Sequence, residues 1–134
     1  MYPTRRRKRS QMEMLVIIRK LQTLAEITAG DGTILREILR PDDEGVSSRY
    51  SLAHAKLPRG QKSQQHRLNS TEVYFIMEGE GVMQIDGERQ PVAPGDCVYI
   101  PPGAVQHIEN HDDVELVFLC VVDPAWRKED EEIL

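Results

Sequence analysis

His66 and Glu72 are the pair in this chain best suited to chemistry: an imidazole that changes charge near neutral pH, then a carboxylate six residues further on. Such nitrogen and oxygen donors hold divalent transition ions; the same groups can bind small polar molecules or move protons. Tyr74 lies two residues beyond Glu72 on the same face of a strand, so its phenol is placed to hydrogen-bond the carboxylate or a bound ligand. Glu72 and Tyr74 are therefore the candidate catalytic groups. His54 sits in Ser51-Leu52-Ala53-His54-Ala55-Lys56-Leu57, where alternation puts Leu52, His54 and Lys56 on one face and Ala53, Ala55 and Leu57 on the other. The pattern leaves open which face looks inward. Turned inward, His54 would complete a two-histidine, one-carboxylate set of the kind that suits iron, manganese, nickel or zinc. His111, in Asn110-His111-Asp112-Asp113, reads as a solvated turn residue.

The same residues belong to two spaced motifs. In the first, Gly60, His66, Glu72 and Gly79 are in register; in the second, Gly95, Pro101, Gly103 and Asn110 are. Together they resemble the paired signature of the cupin family, and specifically its small single-domain members of the sugar-phosphate isomerase-like branch. Two positions depart from that signature: Leu68 stands where the family has its second histidine and Gln106 where it has its third. The resemblance implies a double-stranded β-helix, a jelly-roll barrel, with one divalent transition metal (Mn, Fe, Ni or Zn) inside. His66 and Glu72 would be ligands, and Gln106 or His54 would complete the set. Gln106 offers only a neutral carbonyl oxygen and Leu68 offers nothing, so such an ion would be held loosely. His107 is adjacent to Gln106 and points to the opposite face unless a bulge after Pro102-Gly103 exchanges the two; the family spacing to Asn110 places Gln106 inward.

These residues need strands to position them, and the chain is punctuated accordingly. Strands are expected at 33–39, 50–57, 65–69, 71–78, 81–86, 89–93, 97–100, 104–109 and 114–122, separated by Gly- and Pro-containing turns. Many short strands of this kind argue for an all-β sandwich or barrel. Asp86-Gly87 is the dipeptide of a two-residue primed turn and predicts a hairpin. Ahead of the barrel, Leu15-Val16-Ile17-Ile18 reads as a strand, and Leu21, Leu24, Ala25 and Ile27 as a short amphipathic helix ending at Gly30-Asp31-Gly32. The expected organisation is a disordered basic tail at 1–14, an N-terminal extension with the first strands at 15–45, the barrel at 46–124 and an acidic C-terminal tail at 125–134.

At 134 residues the chain fits one domain with one core. Arg5-Arg6-Arg7-Lys8-Arg9 holds five of its 17 basic residues, leaving a markedly acidic body, a poor surface for nucleic acid. No apolar run is long enough to cross a bilayer and no signal-peptide pattern follows the basic run, so a cytoplasmic protein without membrane or nucleic-acid partners is expected. Cys97 and Cys120 read as buried, reduced thiols. Arg36 and Arg49 are candidates for orienting an anionic substrate. Val73, Phe75 and Met77 share the face opposite Glu72, so a partner subunit or the N-terminal strand must cover them, and a homodimer through sheet faces or exchanged N-terminal strands is expected.

Two functions fit these observations. One is a metal-dependent isomerase or dioxygenase acting on a small polar metabolite. The other is a non-catalytic binder in which His66, Glu72 and Gln106 hydrogen-bond a small ligand without a metal.

Overall fold

The computed structural model describes residues 16–134. Glycine, proline and aspartate turns break this segment into short strands, and these pair into two sheets. One sheet runs β1 (Ile27–Thr28), β2 (Ile34–Leu39), β3 (Ser51–Leu57), β10 (Leu116–Asp123), β5 (Thr71–Glu78), β8 (Cys97–Ile100). The other runs β11 (Glu131–Ile133), β4 (His66–Leu68), β9 (Gln106–Glu109), β6 (Gly81–Ile85), β7 (Glu88–Val92). All pairings between these strands are antiparallel. The architecture is the all-β jelly roll that the strand count implied.

Between the sheets lies the apolar core, including Leu57, Ile76, Ile100, Ile108, Leu116 and Phe118, each at most 1% exposed. Burying a side chain of this size contributes about 1.5–3 kcal/mol, so each of these positions helps to hold the two sheets together. Tyr74 and Phe118 stack across neighbouring strands with ring centroids 4.4 Å apart. Strand β5 shows the alternation: Glu72, Tyr74 and Ile76 are buried, whereas Phe75 and Met77 are each 45% exposed on the outer face.

Both motifs do structural work. The Gly60 amide donates to the carbonyl of Asn110, and the Asn110 amide donates to the carbonyl of Gln61, so the start of the first motif is tied to the end of the second. The fully buried Asn110 side chain donates to the carbonyls of Leu57 and Val114, both at 2.9 Å. Between β6 and β7 the two-residue turn has φ of 48° at Asp86 and 85° at Gly87, as a type I′ turn requires.

Three expectations are corrected at the ends of the chain. Val16, Ile17 and Ile18 form no strand, and Leu15 with the basic run at 5–9 lies outside the described residues. In place of the helix there is one 3-10 turn, Leu21–Thr23, without a buried residue, followed by β1. The segment 125–134 is not a free tail, because Glu131, Glu132 and Ile133 pair with Leu68, Arg67 and His66 of β4. Backbone pairing holds it there, helped by the Arg67–Glu132 ion pair at 2.9 Å. Cys120 is buried as expected, but Cys97 is exposed on the outer face, opposite Phe75.

Candidate functional site

A cavity of about 920 Å³ opens between the sheets, and His66, Glu72, Tyr74, Phe118 and Cys120 line its inner wall. Strand register brings these groups together. His66 on β4 is paired with Gln106 on β9, while Glu72 on β5 is paired with Val122 on β10 and Ile100 on β8. His66, Glu72, Tyr74 and Gln106 are each at most 5% exposed.

Glu72 is held from two sides. Gln106 Nε2 donates to its Oε1 at 2.7 Å, and the Cys120 thiol donates to its Oε2 at 2.8 Å. Tyr74 in turn donates its phenolic proton to Gln106 Oε1 at 3.2 Å, which fixes the amide with its nitrogen toward the carboxylate. Burial pushes the Glu72 carboxyl up, against the opposing pull of the Cys120 and Gln106 donors. Burial, reinforced by the neighbouring Glu72 charge, also raises the Tyr74 phenol and Cys120 thiol well above their ordinary values. Both stay protonated near neutral pH, so they act as donors.

His66 Nδ1 lies 2.8 Å from the carbonyl of Gln64. A carbonyl only accepts, so Nδ1 carries a proton and the neutral ring presents a lone pair at Nε2. That nitrogen faces Asp31 Oδ2 at 3.7 Å. Sequence reasoning missed Asp31, which was read only as part of a glycine-flanked turn; no periodic signal marks a loop residue that topology carries into a cavity. Cys120 was expected to be buried but not to touch the site.

The other histidines lie elsewhere. His54 is paired with Leu119 and Arg36, while its neighbours Ala53 and Ala55 line the cavity, so His54 points to the outer face and is not part of the site. Burial, with the nearby Arg36 and Lys56 charges, lowers its pKa. Arg36 shares that outer face and pairs with Glu26, and Arg49 at the cavity rim is tied to Asp123 at 2.7 Å.

His107 faces away from Gln106, as alternation requires, and with His111 and Arg89 it converges on the Glu109 carboxylate. Hydrogen bonds from Arg89, then from His107, hold that carboxyl far below the ordinary carboxylate range. A depressed carboxyl binds fewer protons when folded than when unfolded. Its stabilisation is therefore complete above the unfolded value of 4.5 and is lost as pH falls toward the folded value. Glu109→Gln should lower stability by about 1–2 kcal/mol near neutral pH, Arg89 being half-exposed and screened, and by less in acid. Urea unfolding at the two pH values checks this; an equal loss in acid would contradict it.

A cupin domain family model matches residues 53–122, from β3 to the end of β10. The chain belongs to the cupin family. An uncharacterized protein of Methanocaldococcus jannaschii is 44% identical over 106 residues, covering 78% of this chain and 83% of that protein. An oxalate-binding protein of Thermotoga maritima is 35% identical over 102 residues, covering 75% of this chain and 84% of that protein. Among solved structures, a cupin conserved-barrel protein of Salinispora arenicola superposes with a TM-score of 0.71 at 22% identity, covering 85% of this chain and 91% of that one. Among the described residues no helix is long and apolar enough to cross a membrane.

Members of the cupin superfamily often bind a divalent metal, so the donor set here must be tested against that chemistry. It does not fit. Leu68 occupies the inward position beside His66, His54 lies on the wrong face, and Gln106 turns its nitrogen, not its oxygen, toward Glu72. Both carboxylate oxygens of Glu72 already accept hydrogen bonds from side chains. Among the described residues no group of three or more His, Cys, Asp or Glu side chains is placed to hold an ion. What remains is a buried chain of hydrogen bonds, Tyr74 to Gln106 to Glu72 to Cys120, beside an imidazole with an open lone pair.

Proposed function

We propose that this cupin binds a small polar metabolite between its sheets without a metal ion. The observation that carries the reading is the engagement of Glu72, each of whose two oxygens takes a side-chain donor, from Gln106 and from Cys120. A carboxylate held in this way stiffens a binding wall, and an ion would have to compete with these two donors for its lone pairs. Glu72 and Tyr74 then serve as a polar wall that orients the ligand, and His66 offers the lone pair at Nε2. The apolar side of the cavity, with Leu35, Ala55 and Phe118, gives the ligand a surface to pack on. The thiols of Cys97 and Cys120 are both free, which suits the reducing cytoplasm.

A thermal-shift screen of polar metabolites, run with and without EDTA, tests this. At least one compound should raise the melting temperature by the same amount in both conditions. Stabilisation seen only in the absence of the chelator would contradict it and return the chain to the metal-dependent isomerase or dioxygenase reading.

The proposal extends to a homodimer through the outer face of the larger sheet. Phe75, Met77 and Tyr99 are 45%, 45% and 60% exposed there, around half-buried Val73, Leu119 and Val121. A contiguous apolar sheet face is costly to leave in water, and a second copy covers it symmetrically. Light scattering at micromolar concentration should give twice the 15.3 kDa of one chain; the mass of one chain would refute it.

A further inference from the structure

The turn between β1 and β2 lies outside the segment matched by the family model, yet it delivers a carboxylate to the cavity. Ala29 and Thr33 close the turn, the Ala29 amide donating to the Thr33 carbonyl at 2.8 Å. Asp31 is then clamped from several directions. Its Oδ1 accepts from the Thr33 amide at 3.1 Å and the Thr33 hydroxyl at 2.7 Å, and its carbonyl accepts from the Gln64 amide at 2.8 Å. Gly30 is packed against the side chain of Glu131, where a Cβ would lie 2.9 Å from Oε1, so the C-terminal strand braces the same turn.

Asp31 is only 7% exposed, and its Oδ2 takes no hydrogen bond from the described residues. It faces His66 Nε2 at 3.7 Å, beyond hydrogen-bond reach. With the ring neutral and its proton on Nδ1, Nε2 and Oδ2 are two acceptors facing each other with no hydrogen between them. An ammonium placed against them can donate to both, and a hydroxyl to one of the two.

The charge around the cavity points the same way. Seven carboxylates and four cationic side chains line it, and three of those cations are committed: Arg40 to Glu37, Arg49 to Asp123 and Arg127 to Asp130. An anion entering would meet two buried carboxylates, Asp31 and Glu72, while each guanidinium of the described lining is already paired with a carboxylate.

We infer that Asp31 and His66 form the recognition pair of this cavity, taking a hydroxyl or ammonium group of an uncharged or cationic metabolite and excluding small dianions such as oxalate. This rests on the metal-independent reading above and sets the chain apart from its Thermotoga maritima relative, which is named for binding oxalate. Asp31 is a binding residue supplied by the N-terminal extension.

Titrations of the full chain in EDTA with erythritol, putrescine and oxalate, followed through the imidazole signals of His66 by NMR, test the inference. Erythritol or putrescine should shift those signals saturably and oxalate should not; putrescine alone, with binding weakened by salt, identifies the ammonium, and erythritol identifies the hydroxyl. Asp31→Asn keeps an oxygen for Thr33 and should melt near the wild-type temperature, but it turns a donor toward His66 and should weaken the responding probe roughly tenfold or more. Equal binding by a folded Asp31→Asn protein overturns the inference, as does silence of both donor probes. Oxalate binding in EDTA also overturns it while leaving the metal-independent reading intact. Oxalate binding that requires added metal overturns that reading as well.

Discussion

The double variant Leu68→His, Gln106→His is expected to bind one divalent transition ion per chain where the wild type binds none. Leu68 shares its face of β4 with His66 and is 4% exposed, so an imidazole there enters the cavity beside an existing one. His66 and Gln106 are cross-strand partners, so the second replacement puts a third imidazole opposite the first. It also removes the amide that donates to Glu72 Oε1 and frees one carboxylate oxygen for the ion. Three imidazoles and a carboxylate converging from β4, β5 and β9 suit zinc, manganese, iron or nickel. Affinity should rise at least a thousandfold over the wild type, about 4 kcal/mol, and should fall again as pH drops through the imidazole range, because protonated histidine cannot ligate. Isothermal titration of both proteins measures it. No gain in the double variant would mean that the cavity wall is not built as described here.

The largest loss of stability is expected from Gly79→Ala. Gly79 has φ of +79°, and a Cβ there would stand 2.5 Å from the backbone oxygen of Glu115 and 3.1 Å from Cα of Leu116. Neither is a flexible side-chain end, so the turn joining β5 to β6 would have to move away from the segment entering β10. The left-handed conformation adds roughly 1–2 kcal/mol for a residue with a Cβ. Together the two effects should cost about 3–5 kcal/mol, enough to lower the melting temperature by roughly 10 °C or more. Gly87→Ala supplies the control. Its φ of +85° is equally unusual, but nothing lies within 4 Å, so only the conformational cost of about 1 kcal/mol applies. Calorimetry giving equal losses for the two variants would show that the close approach at Gly79 is not what its glycine serves.

Gly79 also explains why the fold was legible in the sequence. Gly60, Gly79 and Asn110 are motif residues whose role is backbone geometry, and such requirements depend little on the ligand. The turns were readable for the same reason: Asp86-Gly87 set a hairpin register, and β5 and β8 begin and end where their flanking residues placed them. Where no such punctuation exists the reading failed. Val16, Ile17 and Ile18 have strand-forming side chains but no partner strand among the described residues, and β11 is an acidic segment whose pairing with β4 runs through backbone groups that side-chain patterning does not report.

Of the site, the inward direction of His66, Glu72 and Gln106 followed from spacing, while their chemistry did not. Alternation along β3 told which residues share a face with His54 but not which face is inside. The structure resolves it through Ala55, fully buried in the core. Asp31 was unreadable because a glycine-flanked turn has no fixed direction until Thr33 and Gln64 tie it down.

A cavity that works without a metal leaves the protein metal-free when it is purified without an affinity tag. Elemental analysis should find manganese, iron, nickel and zinc each far below one ion per chain, with the same melting temperature before and after dialysis against EDTA. One stoichiometric transition ion, whose removal lowers the melting temperature, would mean that the cavity is a metal site after all.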